Sequence, residues 1–179
     1  GVYLIARTHE IFLLSPFALN TVATVGAATL LMAAFTAITQ HDIKRILAYS
    51  TISQIGYMFL ALGVGAWASS IFHLMTHAFF KALLFLAAGA VIYSLHHEHN
   101  IFKMGGLRKK LPVAFWSFLI GSAALAALPF TSGFYSKDAI LLAAYENAWQ
   151  GPLLWAIGLL GALLTSIYSF RLVFIVFFG

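Results

Sequence analysis

Long apolar runs, each closed by a short polar or glycine-bearing interval, make up most of this chain. Within each run apolar side chains occupy every side and do not alternate with polar ones, so strands are excluded and helices enclosed by lipid and by each other are implied. The pattern predicts an all-α integral membrane protein. Residues 1–6 read as the end of a preceding transmembrane helix. Residues 7–179 read as a single transmembrane bundle, with helices over about 19–39, 43–64, 70–95, 112–127 broken to 135–147, and 153–178.

The broken helix follows from length. An unbroken helix from Pro112 to Ala148 would reach about 55 Å, nearly twice a hydrocarbon core of about 30 Å. The interruption is legible as Leu128-Pro129-Phe130-Thr131-Ser132-Gly133. The expected architecture is therefore five transmembrane helices plus a helix stub, with one helix broken mid-membrane.

Few polar residues interrupt the apolar runs. Helix 70–95 carries His73, His77 and Lys81, and the i, i+4, i+8 spacing places them within roughly 80° of one another on one face. Three proton-binding groups in file inside a membrane span are costly. Such groups normally face a bundle interior or a hydrated cavity and mark an ion path. Histidine ordinarily titrates near neutrality, which suits His73 and His77 to relay between lysines. Lys137 and Asp138 follow the break, where one half-helix presents free carbonyls and the next presents free N–H groups. Asp138 in the first turn of the second half suits the helix dipole, Lys137 can reach back to the carbonyls, and Ser132 and Ser136 are placed to cap. A lysine with a movable carboxylate partner is a switchable proton site, and Lys137 with Asp138 reads as such a pair. In helix 43–64, Asp42 is the expected N-cap, Lys44 and Arg45 lie in the first turn, and Ser50, Thr51, Ser53 and Gln54 lie in the body.

Composition narrows the class further. The chain is 62% hydrophobic and only 8% charged, against about a quarter charged residues in soluble domains. Without cysteine there is neither a disulfide nor a thiolate site for zinc or an iron–sulfur cluster. The net charge of +5 sits in loops and is not a nucleic-acid signal. Lys44, Arg45, Lys103, Arg108, Lys109 and Lys110 gather on one face and Arg7 lies on the other, so the first face is cytoplasmic or its organellar equivalent. Arg171 is read as snorkelling to that face. The histidines of His96-His97-Glu98-His99 lie in a solvated loop, where consecutive side chains rarely converge on one ion. The first residues have no basic region or cleavage site of a signal peptide, and both ends read as cuts through a longer chain.

Four stretches carry a resemblance: Asp42-Ile-Lys-Arg-Ile-Leu-Ala-Tyr-Ser-Thr-Ile-Ser-Gln-Ile-Gly56, His73-Leu-Met-Thr-His77-Ala-Phe-Phe-Lys81, Met104-Gly-Gly-Leu-Arg108, and Ser132-Gly-Phe-Tyr-Ser-Lys137-Asp138. In this order they resemble the antiporter-like membrane subunits of proton-pumping NADH:quinone oxidoreductase, respiratory complex I. The resemblance implies two inverted five-helix repeats, each with one broken helix, of which this chain would hold the second plus the tail of the first. It implies a proton relay through Lys81, Lys137, His77 and His73, with Lys44 and Asp138 also matching family positions. It further implies an enzyme subunit without a redox centre of its own: no cofactor in this chain, and FMN, iron–sulfur clusters and quinone in partner subunits. The other complex I membrane subunits, the lipid bilayer and protons would be its partners. Its place would be the bacterial inner membrane or the mitochondrial inner membrane. The glutamate–lysine pair of the family's first repeat and its long lateral helix have no counterpart here. Subunits of multi-subunit sodium/proton antiporters, which lack redox activity, are similar chains and form the alternative.

Overall fold

The computed structural model describes residues 1–179 and is all-helical. In chain order the helices are α1 (Val2–Arg7), α2 (His9–Leu13), α3 (Pro16–Thr39), α4 (Ile43–Gly63), α5 (Trp67–Ser94), α6 (Leu107–Lys110), α7 (Pro112–Leu125), α8 (Ser132–Tyr145) and α9 (Gly151–Phe178). One 3₁₀ turn, Ile101–Lys103, precedes α6. Four of them, α3, α4, α5 and α9, are long and apolar enough to cross a membrane. Helices α7 and α8, with 14 residues each, are short for a crossing and meet end to end.

Local chemistry sets the boundaries. Ser15 starts α3 by accepting the Ala18 N–H on Oγ, with Pro16 in the first turn, so α3 begins earlier than the expected residue 19. The segment expected as a loop before it contains the short helix α2. Asp42 caps α4, its carboxylate accepting the N–H groups of Lys44 and Arg45 at 2.8 and 3.0 Å. Helix α5 starts at Trp67, not Ser70, and the Trp67 ring packs 5.5 Å from that of His9.

Close backbone approach holds the bundle together. Gly26 on α3 faces Gly56 on α4, and a methyl group on either would collide with the main chain opposite. This is why α3 and α4 form the most extensive helix pair. The main apolar core joins α3, α4, α5, α7 and α9 through Leu84, Val91, Phe118, Tyr168 and Val176.

One end of the bundle is tied by polar contacts. The Ile43 N–H donates to the His99 carbonyl at 3.0 Å, and the Ile101 N–H to that of His41 at 2.9 Å. His99 Nδ1 stands 3.6 Å from Asp42 Oδ2, and Lys103 Nζ stands 3.4 Å from Glu98 Oε2. Arg171 does not simply snorkel. Its guanidinium donates to the Gln40 carbonyl at 3.2 Å and lies 5.6 Å from the Phe102 ring centre. Residues 96–110, expected as a polar loop, are ordered by left-handed His96 and His97, the 3₁₀ turn and α6.

Candidate functional site

The break between α7 and α8 is built by its own residues. Helix α7 stops at Leu125, two residues before the expected end, because Ala127 takes a left-handed conformation with φ of 59°. Pro129 and a second left-handed residue, Phe130, complete the turn, and Thr131, not Ser132 or Ser136, occupies the N-cap position of α8. Thr131 instead sends its hydroxyl back to the Leu128 carbonyl at 2.7 Å. Gly133 lies directly on the Ala124 carbonyl, so any side chain there would force the half-helices apart.

The interruption leaves the Leu125 carbonyl without a helical donor. Lys137 Nζ donates to it at 2.7 Å, spanning the gap while only 1% exposed. The same ammonium stands 5.1 Å from the centre of the Tyr57 ring, whose hydroxyl donates to the Gly158 carbonyl of α9 at 2.6 Å. Asp138, next in sequence, turns outward and is exposed, so the expected Lys137–Asp138 pair does not form.

His73, His77 and Lys81 face inward from α5 and are all buried. The rings of His73 and His77 are 6.2 Å apart. His73 is bonded on both sides: Nδ1 lies 2.8 Å from Ser136 Oγ of α8, and Nε2 lies 3.2 Å from Gln54 Oε1 of α4. Thr76 Oγ1 also donates to Ser136 Oγ at 3.2 Å. His77 Nε2 is buried without a partner. Lys81 bends toward α4, where Nζ donates to the Leu47 carbonyl at 3.1 Å and to Ser50 Oγ. Lys44 sits apart from this layer, exposed in the first turn of α4.

The sequence pattern left several members of this layer unassigned. Tyr57 and Tyr168 lie in apolar runs among many other aromatic residues, and Ser136 bonds His73 instead of capping α8. A signal was present: Ser50, Ser53, Gln54 and Tyr57 recur at i, i+3, i+4, i+7 and mark a polar stripe along an otherwise apolar α4. No carboxylate is buried, because Glu10, Asp42, Glu98, Asp138 and Glu146 are all exposed or only partly covered. The layer is thus a set of amines and imidazoles linked by hydroxyls and one amide, its charges facing only backbone and side-chain dipoles.

Fold and layer define the class: a multi-span helical membrane protein whose one interrupted helix brings a lysine to a buried file of proton-binding side chains. The transmembrane family described as NADH:quinone oxidoreductase/Mrp antiporter matches residues 1–165, and the chain belongs to it. It is 67% identical over its whole length to NADH-quinone oxidoreductase subunit L of Pseudomonas aeruginosa and 64% identical to that of Escherichia coli. The chain spans 29% of the length of each of these relatives. Among solved structures, a chain of the Mrp complex from Dietzia sp. DQ12-45-1b shares the fold with a TM-score of 0.91 at 28% identity, covering 99% of this chain and 34% of that one.

Proposed function

We propose that this chain is part of the proton-translocating membrane subunit of a respiratory NADH:quinone oxidoreductase. In this reading it forms the second inverted repeat of the antiporter-like fold, with five crossings, α7 and α8 together making the interrupted one. Protons pass by relay through His73, His77, Lys81 and Lys137, driven by electron transfer in partner subunits that hold the FMN, iron–sulfur clusters and quinone. Lys44, at the basic end of the bundle, and Asp138, on the outer face of α8, serve the approaches to this layer. The location is the bacterial inner membrane, with the basic end cytoplasmic.

One observation carries the reading most: Lys137 Nζ on the Leu125 carbonyl, fully buried and with no carboxylate beside it. Charged residues inside a bilayer pair with one another or with backbone carbonyls and by default mark ion pathways. This one rests on a dipole that holds an ammonium without fixing it as an ion pair would. The test is Lys137→Ala in the full-length subunit within its assembled complex. NADH-driven proton translocation should fall while the amount of complex stays constant, and an unchanged proton-to-electron ratio would end the proposal.

A second reading, a sodium/proton antiporter subunit with no redox partner, draws on the fold shared with the Mrp complex chain. The 64–67% identity to the subunit L chains favours the first. Purification of the full-length protein decides between them, since flavin and iron–sulfur subunits accompany it only in the first.

A further inference from the structure

We propose that the face of the Tyr57 ring stands in for a counter-ion to the Lys137 ammonium, and that Gly158 and Gly161 of α9 seat that ring. This rests on the relay reading above and names what holds its lysine as a cation where no acid is present.

An ammonium carries three N–H donors and no acceptor. Lys137 is buried, and its one hydrogen bond runs to the Leu125 carbonyl at 2.7 Å. A buried charge is costly until something of opposite polarity faces it. The elements packed on α8 offer no acid. Helix α5 brings His73, His77 and Lys81, α9 brings Tyr168 and Arg171, and α7 has no titratable side chain, while Asp138 turns outward. What does face the ammonium is the Tyr57 ring of α4, its centre 5.1 Å from Nζ. That is within the roughly 6 Å over which the negative face of an aromatic ring attracts a cation. The attraction strengthens where water is excluded, and Tyr57 is 0% exposed.

The ring is held in that position by α9. Its hydroxyl donates to the Gly158 carbonyl at 2.6 Å. Gly161, three residues on, leaves the space the hydroxyl needs: a Cβ there would lie 2.9 Å from the Tyr57 oxygen and 2.7 Å from Leu30 Cδ1. A Cβ at Gly158 would collide with Leu141 Cδ2. Leu141 lies one turn beyond Lys137 on α8, so the same glycine sets how near the ammonium comes to the ring. Lys81 is held differently. It donates to two oxygens, those of Leu47 and Ser50, and the Phe85 ring beside it stands 5.9 Å away and is 39% exposed. Tyr57 thus gives Lys137 what a second oxygen gives Lys81. Unlike a carboxylate, a ring face attracts the ammonium and cannot take its proton. Tyr57 touches no moving proton and is a positioning residue.

Phenylalanines bearing none, one, two and three ring fluorines, inserted at position 57 of the full-length subunit in its assembled complex, test this. Fluorine drains the ring face of negative charge and barely alters ring size, so a packing role alone does not respond to it. The midpoint for thermal loss of assembled complex should fall stepwise with fluorine number. In a Lys137→Met background it should not depend on fluorine at all. NADH-driven proton translocation should fall about threefold from none to three fluorines. Tyr57→Leu should lower it about tenfold at constant complex content, Tyr57→Phe should keep most of it, and Phe85→Leu should leave it unchanged. A midpoint independent of fluorine overturns the inference, as does an equal fall in the Lys137→Met background. So does translocation independent of fluorine where Lys137→Ala has lost it. Full translocation in Lys137→Ala instead removes the relay reading, and the midpoint series alone then decides what the ring does. If Tyr57→Leu fails to assemble, the fluorine series, which keeps the ring, decides.

Discussion

The cations of the buried layer and those of the basic end are both held by main-chain oxygens, but their surroundings differ. Lys81 and Lys137 donate to the Leu47 and Leu125 carbonyls, as Arg171 does to that of Gln40. At the basic end carboxylates stand close by, Glu98 with Lys103 and Asp42 with His99, and Arg108 lies over the rings of Phe115 and Phe178 at 5.4 and 5.2 Å. The buried layer has no acid at all. Cations beside acids fasten loops and cap helices, and nothing there requires a change of charge. Cations held by dipoles alone sit where a proton can leave without stranding a carboxylate in a medium that penalises an unpaired charge.

Substitutions that test this contrast have effects of very different size. The largest is expected from Lys81→Ala or Lys137→Ala, which should lower NADH-driven proton translocation at least about tenfold, against no loss for Lys103→Ala, measured by ΔpH formation in membrane vesicles. Next is Gly133→Val. It drives a branched side chain into the Ala124 carbonyl and should cost about 3 kcal/mol or more, seen as a lowered unfolding midpoint and loss of assembled complex. Asp42→Ala removes the cap of α4 and the partner of His99, and should cost about 1 kcal/mol with translocation retained.

Glu98→Gln should have the smallest effect and a definite pH sign. The Asn100 N–H, then that of His99 and the Lys103 ammonium, hold the Glu98 carboxyl below its usual range. Its contribution is therefore present above the ordinary glutamate value of about 4.3 and is lost as pH falls through the lower folded value. Native and variant unfolding midpoints should differ slightly at neutral pH and converge in acid. High salt should shrink the same difference, since the Lys103 contact is exposed.

Much of this was legible along the chain. The break was readable from Pro129 and excess length, and the α5 file from its four-residue spacing. The Asp42 cap was readable from its place before an apolar run. The pairing of Lys137 with Asp138 was not correct, because adjacent residues on a helix point about 100° apart and only one can enter the bundle. The partners of His73 could not be read at all: Gln54 and Ser136 arrive from other helices, 19 and 63 positions away. Such contacts depend on how α4 and α8 pack on α5, which is a matter of tertiary packing and of the break rather than of local sequence.

The lack of any buried carboxylate has an electrical consequence. In the proposed relay, each proton taken up by the layer would be a whole elementary charge inside a thin insulating sheet, with no fixed anion to cancel it. Carrying one charge across such a sheet changes the free energy by about 2.3 kcal/mol per 100 mV. In the proposed relay the occupancy of Lys81 and Lys137 would therefore shift with membrane voltage, and an energised membrane would resist filling the layer from its negative side more than from its positive side.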